Sequence, residues 1–203
     1  MAQINFTQKL AVRGWKIVGG SAFVIGAIFA LILLIHGINE SSWRMAVRAT
    51  ARTSFILFLA AFLAFSLRQL HSNPLTQWLV ANYRYLAISM AVSYCFHALA
   101  IGGLAMAIGQ TNFLYDPGGI LGYIFILAIA TTSFERIASW LDRRFVKVLH
   151  GVGMYYLWLA FTYTFIKQLS VSMPFYLPFV IMLGLAIVLR FLAWQGWRNS
   201  RAT

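Results

Sequence analysis

Residues 82–109, NYRYLAISMAVSYCFHALAIGGLAMAIG, form an apolar run with one imidazole, His97, at its middle. The run is longer than the roughly 20 residues that a helix needs to cross a bilayer. Similar runs recur along all 203 residues, of which 61% are hydrophobic and only 10% charged. A soluble domain carries about a quarter charged residues. Lipid offers backbone groups no hydrogen bonds, so spans must be helices or a closed barrel. These runs are continuous rather than alternating at every second residue, which excludes barrel strands. The sequence therefore predicts an all-α integral membrane protein.

Six spans are predicted: Trp15 to His36, Ser54 to Leu70, Tyr83 to Ile108, Ile120 to Thr132, Val146 to Ile166 and Pro174 to Trp194. Pro74, Pro117, Pro174 and Pro178 are expected in loops or first turns, where proline is tolerated. The longest link between spans, about 17 residues, is too short to fold alone. A single membrane domain, 1–203, without a nucleotide-binding domain, is the expected organisation. The first span exceeds an ordinary signal-peptide core and shows no small-residue cleavage site, so it is expected to be retained.

Charge sets the orientation. With a cytoplasmic N-terminus, twelve Lys and Arg residues fall inside and four (Arg44, Arg48, Arg52 and Lys167) outside. That bias predicts both termini in the cytoplasm. Six of the seven tryptophans fall near span ends, as an interfacial belt requires. The net charge of +12 is then explained by topology and anionic headgroups, not by nucleic acid. Cys95, the lone cysteine, excludes an internal disulfide and reads as a small buried hydrophobe. Glu40, Asp116, Glu135 and Asp142, the four carboxylates, fall at loops or span ends, which argues against a proton- or cation-coupled transporter.

Chemistry then rests on the histidines. Neutral imidazole between helices is a common axial ligand of haem iron. His97 lies within the third span and His150 near the inner end of the fifth. Each reads as a ligand or as a histidine hydrogen-bonded between helices. His36 and His71, at span ends, read as interfacial.

Three segments carry a resemblance. TARTSFILFLAAFLAFSLR (50–68) resembles a GRTAL-type entry to a leucine-rich span. RYLAISMAVSYCFH (84–97) places a histidine thirteen residues after an arginine. TTSFERIASWLDRRFVKVLHGVGMYY (131–156) joins a threonine-serine pair, a basic loop and a leucine-histidine pair. In order and spacing the chain resembles the ferric reductase-like transmembrane domain superfamily. Within it, the chain is most similar to haem-binding membrane subunits of the bacterial periplasmic methionine sulfoxide reductase system. The resemblance implies a bundle in the bacterial inner membrane holding b-type haem, one or two, with flavin mononucleotide as a further cofactor. Electrons would pass from a cytosolic flavin reductase or quinone to a periplasmic oxidoreductase. It implies His97 and His150 as haem-iron ligands. Arg84 becomes a partner for a haem propionate or flavin phosphate, against the plainer reading of a positive-inside anchor.

The chain also departs from that pattern. The family's second histidine on the fifth span is Tyr163 here, and Met154 stands where a tyrosine is expected. His97 is about 14 residues into its span and His150 about 4, a difference in depth on the order of 15 Å. One iron cannot join them. Three readings remain: an outer haem on His97 with Tyr163, another group or water opposite; an inner haem on His150 with His71; or loss of one haem or both. The single outer haem on His97 ranks first. A cofactor-free scaffold or small transporter that kept the fold is the rival.

Overall fold

The computed structural model describes residues 13–111 and 116–202, and its described residues form helices and no strand. In chain order these are α1 (Trp15–His36), α2 (Glu40–Leu70), α3 (Pro74–Ala81), α4 (Tyr83–Ile108), α5 (Pro117–Thr132), α6 (Glu135–Ala138), α7 (Arg143–Leu169) and α8 (Met173–Ala202). Local chemistry sets their starts. Asn39 accepts from Ser42 N to open α2, and Asn73 and Thr76 form a capping box around Pro74 at the start of α3. Asp116 and Asp142 cap α5 and α7 by accepting from Gly119 N and Arg144 N. Gly109, at φ 64°, closes α4 in the left-handed conformation that favours glycine.

Five helices close a ring, α2–α4–α5–α7–α8 and back to α2, and α1 packs in the groove between α2 and α4. α2 and α4 run antiparallel in one register: Trp43 meets Gly103, Thr50 meets His97, Ser54 meets Ser93 and Phe65 meets Tyr83. Gly14 N donates to Asn82 Oδ1, and Gln69 Nε2 donates to the Ala193 carbonyl. The first described helix thus begins, and the last runs on, at the end of the bundle that carries α3.

The ring is filled by Phe55, Phe58 and Phe62 of α2, which pack on Phe161 of α7 and on one another. The α2–α4 seam instead buries hydroxyls, among them Thr50, Ser54, Ser89 and Ser93. Large apolar side chains such as Phe23, Leu34 and Met106 point outward and are about four-fifths exposed. Small residues and hydroxyls between helices with apolar side chains outside is the pattern of helices packed in lipid. Among the described residues four helices are long and apolar enough to cross a membrane: Trp15–His36, Glu40–Leu70, Tyr83–Ile108 and Met173–Arg198. The chain is a helical membrane protein by that measure. α5 is apolar but has 16 residues, and α7 is not among the four.

Three expectations change. α2 begins at Glu40 rather than near Ser54, so the link after the first span is mostly helix. Pro178 lies inside α8 instead of in a loop or first turn. Cys95 is exposed, not buried.

Candidate functional site

Two large cavities open into the bundle. The first, about 580 Å³, is bounded by α2, α4, α5 and α7, and both His97 and Tyr163 line it. The second, about 550 Å³, is lined by His150 with Tyr83, Met154 and Arg190. Each lies within the roughly 300–1,000 Å³ range of small-molecule and cofactor sites. His97 and His150 face different cavities. Tyr83 packs on Phe65 and bonds His150, so His150 sits about 15 residues further along α2 than Thr50, the partner of His97. At 1.5 Å per residue that is about 22 Å.

The two imidazoles differ in what their nitrogens are free to do. Thr50 Oγ1 lies 2.8 Å from the Ala46 carbonyl and 2.9 Å from His97 Nδ1. With the threonine proton given to the nearby Ala46 carbonyl, the shorter of its two carbonyl contacts, His97 Nδ1–H donates to Thr50. In that tautomer Nε2 keeps its lone pair; the Val47 backbone is a second hydrogen-bond partner of the ring. Tyr94 fixes the other side of the ring in an edge contact at 5.9 Å. A metal-ligating histidine commonly has its second nitrogen held by an oxygen acceptor in this way.

At His150 the same reasoning closes the ring. Thr132 Oγ1 lies 2.6 Å from the Ala128 carbonyl and 2.9 Å from His150 Nε2, while Tyr83 Oη is 3.1 Å from Nδ1. Nε2–H therefore donates to Thr132, and Nδ1 accepts from Tyr83. Both nitrogens are used by the protein.

Tyr163 stands at the mouth of the His97 cavity, 70% exposed. Tyr123 lines the same cavity, and its buried hydroxyl has no partner among the described residues. An unpaired buried hydroxyl is costly unless a bound group completes it. Thr50, Tyr94 and Tyr123 had no signal in the linear sequence beyond their polarity, because their relation to His97 exists only across helices.

Arg84 is at neither large cavity. Its Nη1 donates to Glu135, its Nη2 donates to Tyr85 Oη at 2.7 Å, and it lines a hollow of about 120 Å³. His71 caps the end of α2, its N–H bonded to the Leu67 carbonyl, and its side chain lines neither cavity. His36 closes α1, where its carbonyl accepts from Asn39 and Ser42. Among the described residues no group of three or more His, Cys, Asp and Glu side chains is placed to hold a metal ion directly.

No protein-family model, no curated protein and no solved structure matches the chain.

Proposed function

We propose that the chain is a membrane electron-transfer subunit that holds b-type haem in the cavity shared by His97 and Tyr163. The observation that carries this reading is the Thr50–His97 hydrogen bond, which leaves Nε2 with a lone pair beside a cofactor-sized cavity. The unpartnered Tyr123 hydroxyl fits a bound polar group there. Haem, when bound, supplies a reversible one-electron carrier.

The residues divide the work. His97 Nε2 would hold the haem iron, and Thr50 would fix the ring's tautomer and orientation. Tyr163 is the candidate second ligand, since phenolate ligation of haem iron is known chemistry. Tyr123 donates to whatever acceptor enters. Apolar walls from Leu157 and Phe161 restrict water. His150 serves as a satisfied interhelical link in this reading, and an inner haem on it requires one of its two bonds, to Thr132 or to Tyr83, to be given up. His71 takes no part.

The rest of the assignment follows from charge and resemblance. The bundle crosses a bacterial inner membrane six times, with both termini in the cytoplasm, where most Lys and Arg residues then lie. Electrons enter from a cytosolic flavin reductase or a quinol and leave to an acceptor at the outer face, a periplasmic oxidoreductase. Flavin mononucleotide is a further candidate cofactor, with Arg84 as a phosphate partner only after release from Glu135.

The closed bonding of His150 favours a second reading, a cofactor-free scaffold or small transporter. Absorption spectra of the purified protein, oxidised and dithionite-reduced, separate the two. A haem-b Soret and reduced α-band that vanish in His97→Ala support the carrier. Colourless protein from cells well supplied with haem sinks it.

A further inference from the structure

The second cavity carries a charge problem that the haem reading does not touch. Arg143, Lys147 and Arg190 line it, and the rest of its wall is largely apolar, including Ala61, Phe62, Phe65 and Val146. The chain has four side-chain carboxylates. Glu40 pairs with Arg44, and Glu135 pairs with Arg84. Asp116 caps α5, and Asp142 caps α7 through Arg144 N. Among the described residues the ion pairs are Glu40–Arg44 and Glu135–Arg84, and none joins a carboxylate to Arg143, Lys147 or Arg190.

Their geometry differs in a useful way. Arg190 is fixed: Nη1 donates to the Phe62 carbonyl at 2.7 Å, Nε donates to Tyr155 Oη at 3.1 Å, and the guanidinium lies over both rings. Arg143 and Lys147, four residues apart, share one face of α7 and are exposed. One turn further, Gly151 lines the cavity, and a Cβ there meets nothing within 4 Å. The site is thus a pair of exposed cations, in no ion pair among the described residues, beside an open, apolar-walled space, with a third cation held against the aromatic wall.

We propose that this cavity binds an anionic phospholipid, its phosphate between Arg143 and Lys147 and an acyl chain along Phe65, Val146 and Ala61. Basic pockets between membrane helices take anionic headgroups for this reason. The helices that form the cavity place charge and apolar wall side by side, as an amphiphile requires and a soluble phosphate does not. The assignment does not depend on iron.

Native mass spectrometry of the full chain in detergent, with phosphatidylglycerol or phosphatidylcholine added, is the test. Phosphatidylglycerol is expected to be retained about tenfold or more better than phosphatidylcholine. The preference should disappear in Arg143→Gln/Lys147→Gln, while Gly151→Trp, which fills the space and keeps the charges, should lower retention of both lipids. Equal retention of the two lipids by the unaltered chain overturns the proposal, as does an unchanged preference in the double variant. Displacement of phosphatidylglycerol by millimolar inorganic phosphate alone overturns it in favour of a simple phosphate site. Loss of haem absorbance in Gly151→Trp would assign the space to haem instead.

Discussion

Thr50 Oγ1 holds His97 Nδ1 at 2.9 Å across the α2–α4 seam while giving its own proton to the Ala46 carbonyl. That hydroxyl, with the Val47 backbone beside it, favours the tautomer whose Nε2 carries the lone pair. The consequence is testable without altering the histidine. Thr50→Val keeps the shape and removes the acceptor, and is expected to weaken haem binding about ten- to a hundredfold. Thr50→Ser retains the acceptor and should bind nearly as the unaltered chain does. Haem titration of the apoprotein measures both.

His150 is expected to behave in the opposite way. His150→Ala should leave haem content and the His97 spectrum unchanged, yet lower stability by about 1–3 kcal/mol because the Tyr83 hydroxyl loses its acceptor. Adding Tyr83→Phe should recover part of that loss, since the orphaned group goes with it. Thermal unfolding in detergent and a pyridine haemochrome assay give the two readouts. A halved haem content in His150→Ala would place a second haem there.

Gly103 sets how close α2 and α4 come. A Cβ at that position would lie 2.5 Å from the Trp43 ring, which is itself packed on Phe29. Gly103→Ala is therefore expected to cost about 1–3 kcal/mol by overpacking. Trp43→Leu in the same chain should relieve most of it. Gly102→Ala, whose Cβ meets nothing within 4 Å, is the control.

How much of this was legible in the sequence depends on what hydropathy measures. α1 and α4 match the predicted bounds because their ends coincide with a loss of apolar character at His36–Asn39 and at Gly109. α2 does not, since Arg44, Arg48 and Arg52 make its first turns look like a loop. Hydropathy reads compatibility with lipid, whereas the Asn39 cap and the unbroken backbone pairing read helix. Cys95 shows the converse: a small apolar residue on a spanning helix can face outward at no cost when the solvent is lipid. At the site, His97 stands out as an imidazole in an apolar run. Its partner does not, because Thr50 lies 47 residues away and no linear spacing joins them.

The buried serines of α4 make a matched pair. Ser93 Oγ bonds Ser54 at 2.8 Å and Thr53 at 3.1 Å, whereas the Ser89 hydroxyl is buried without a partner among the described residues. Ser93→Ala is expected to cost about 0.5–1.7 kcal/mol, the range for interhelical hydrogen bonds in membranes. Ser89→Ala removes an unsatisfied group and should be neutral or slightly stabilising. Detergent melting curves of the two variants, side by side, decide it. Equal losses would mean that Ser89 has an acceptor in the membrane.

Tyr163 provides the sharpest check on the proposed haem site. A phenolate is a hard anion that favours the ferric state, and axial-ligand identity is a main lever on haem potential. Tyr163→Phe removes the oxygen and is expected to raise the midpoint potential and open a position to carbon monoxide in the reduced state. Tyr163→His should raise the potential too, but without carbon monoxide binding, because the imidazole fills that position. Tyr163 lines the cavity at its exposed mouth, so neither change is expected to move stability by more than about 0.5 kcal/mol. Redox titration followed optically gives the potentials. Identical potentials and carbon monoxide reactivity in all three chains would remove Tyr163 from the coordination of iron and leave His97 with another partner.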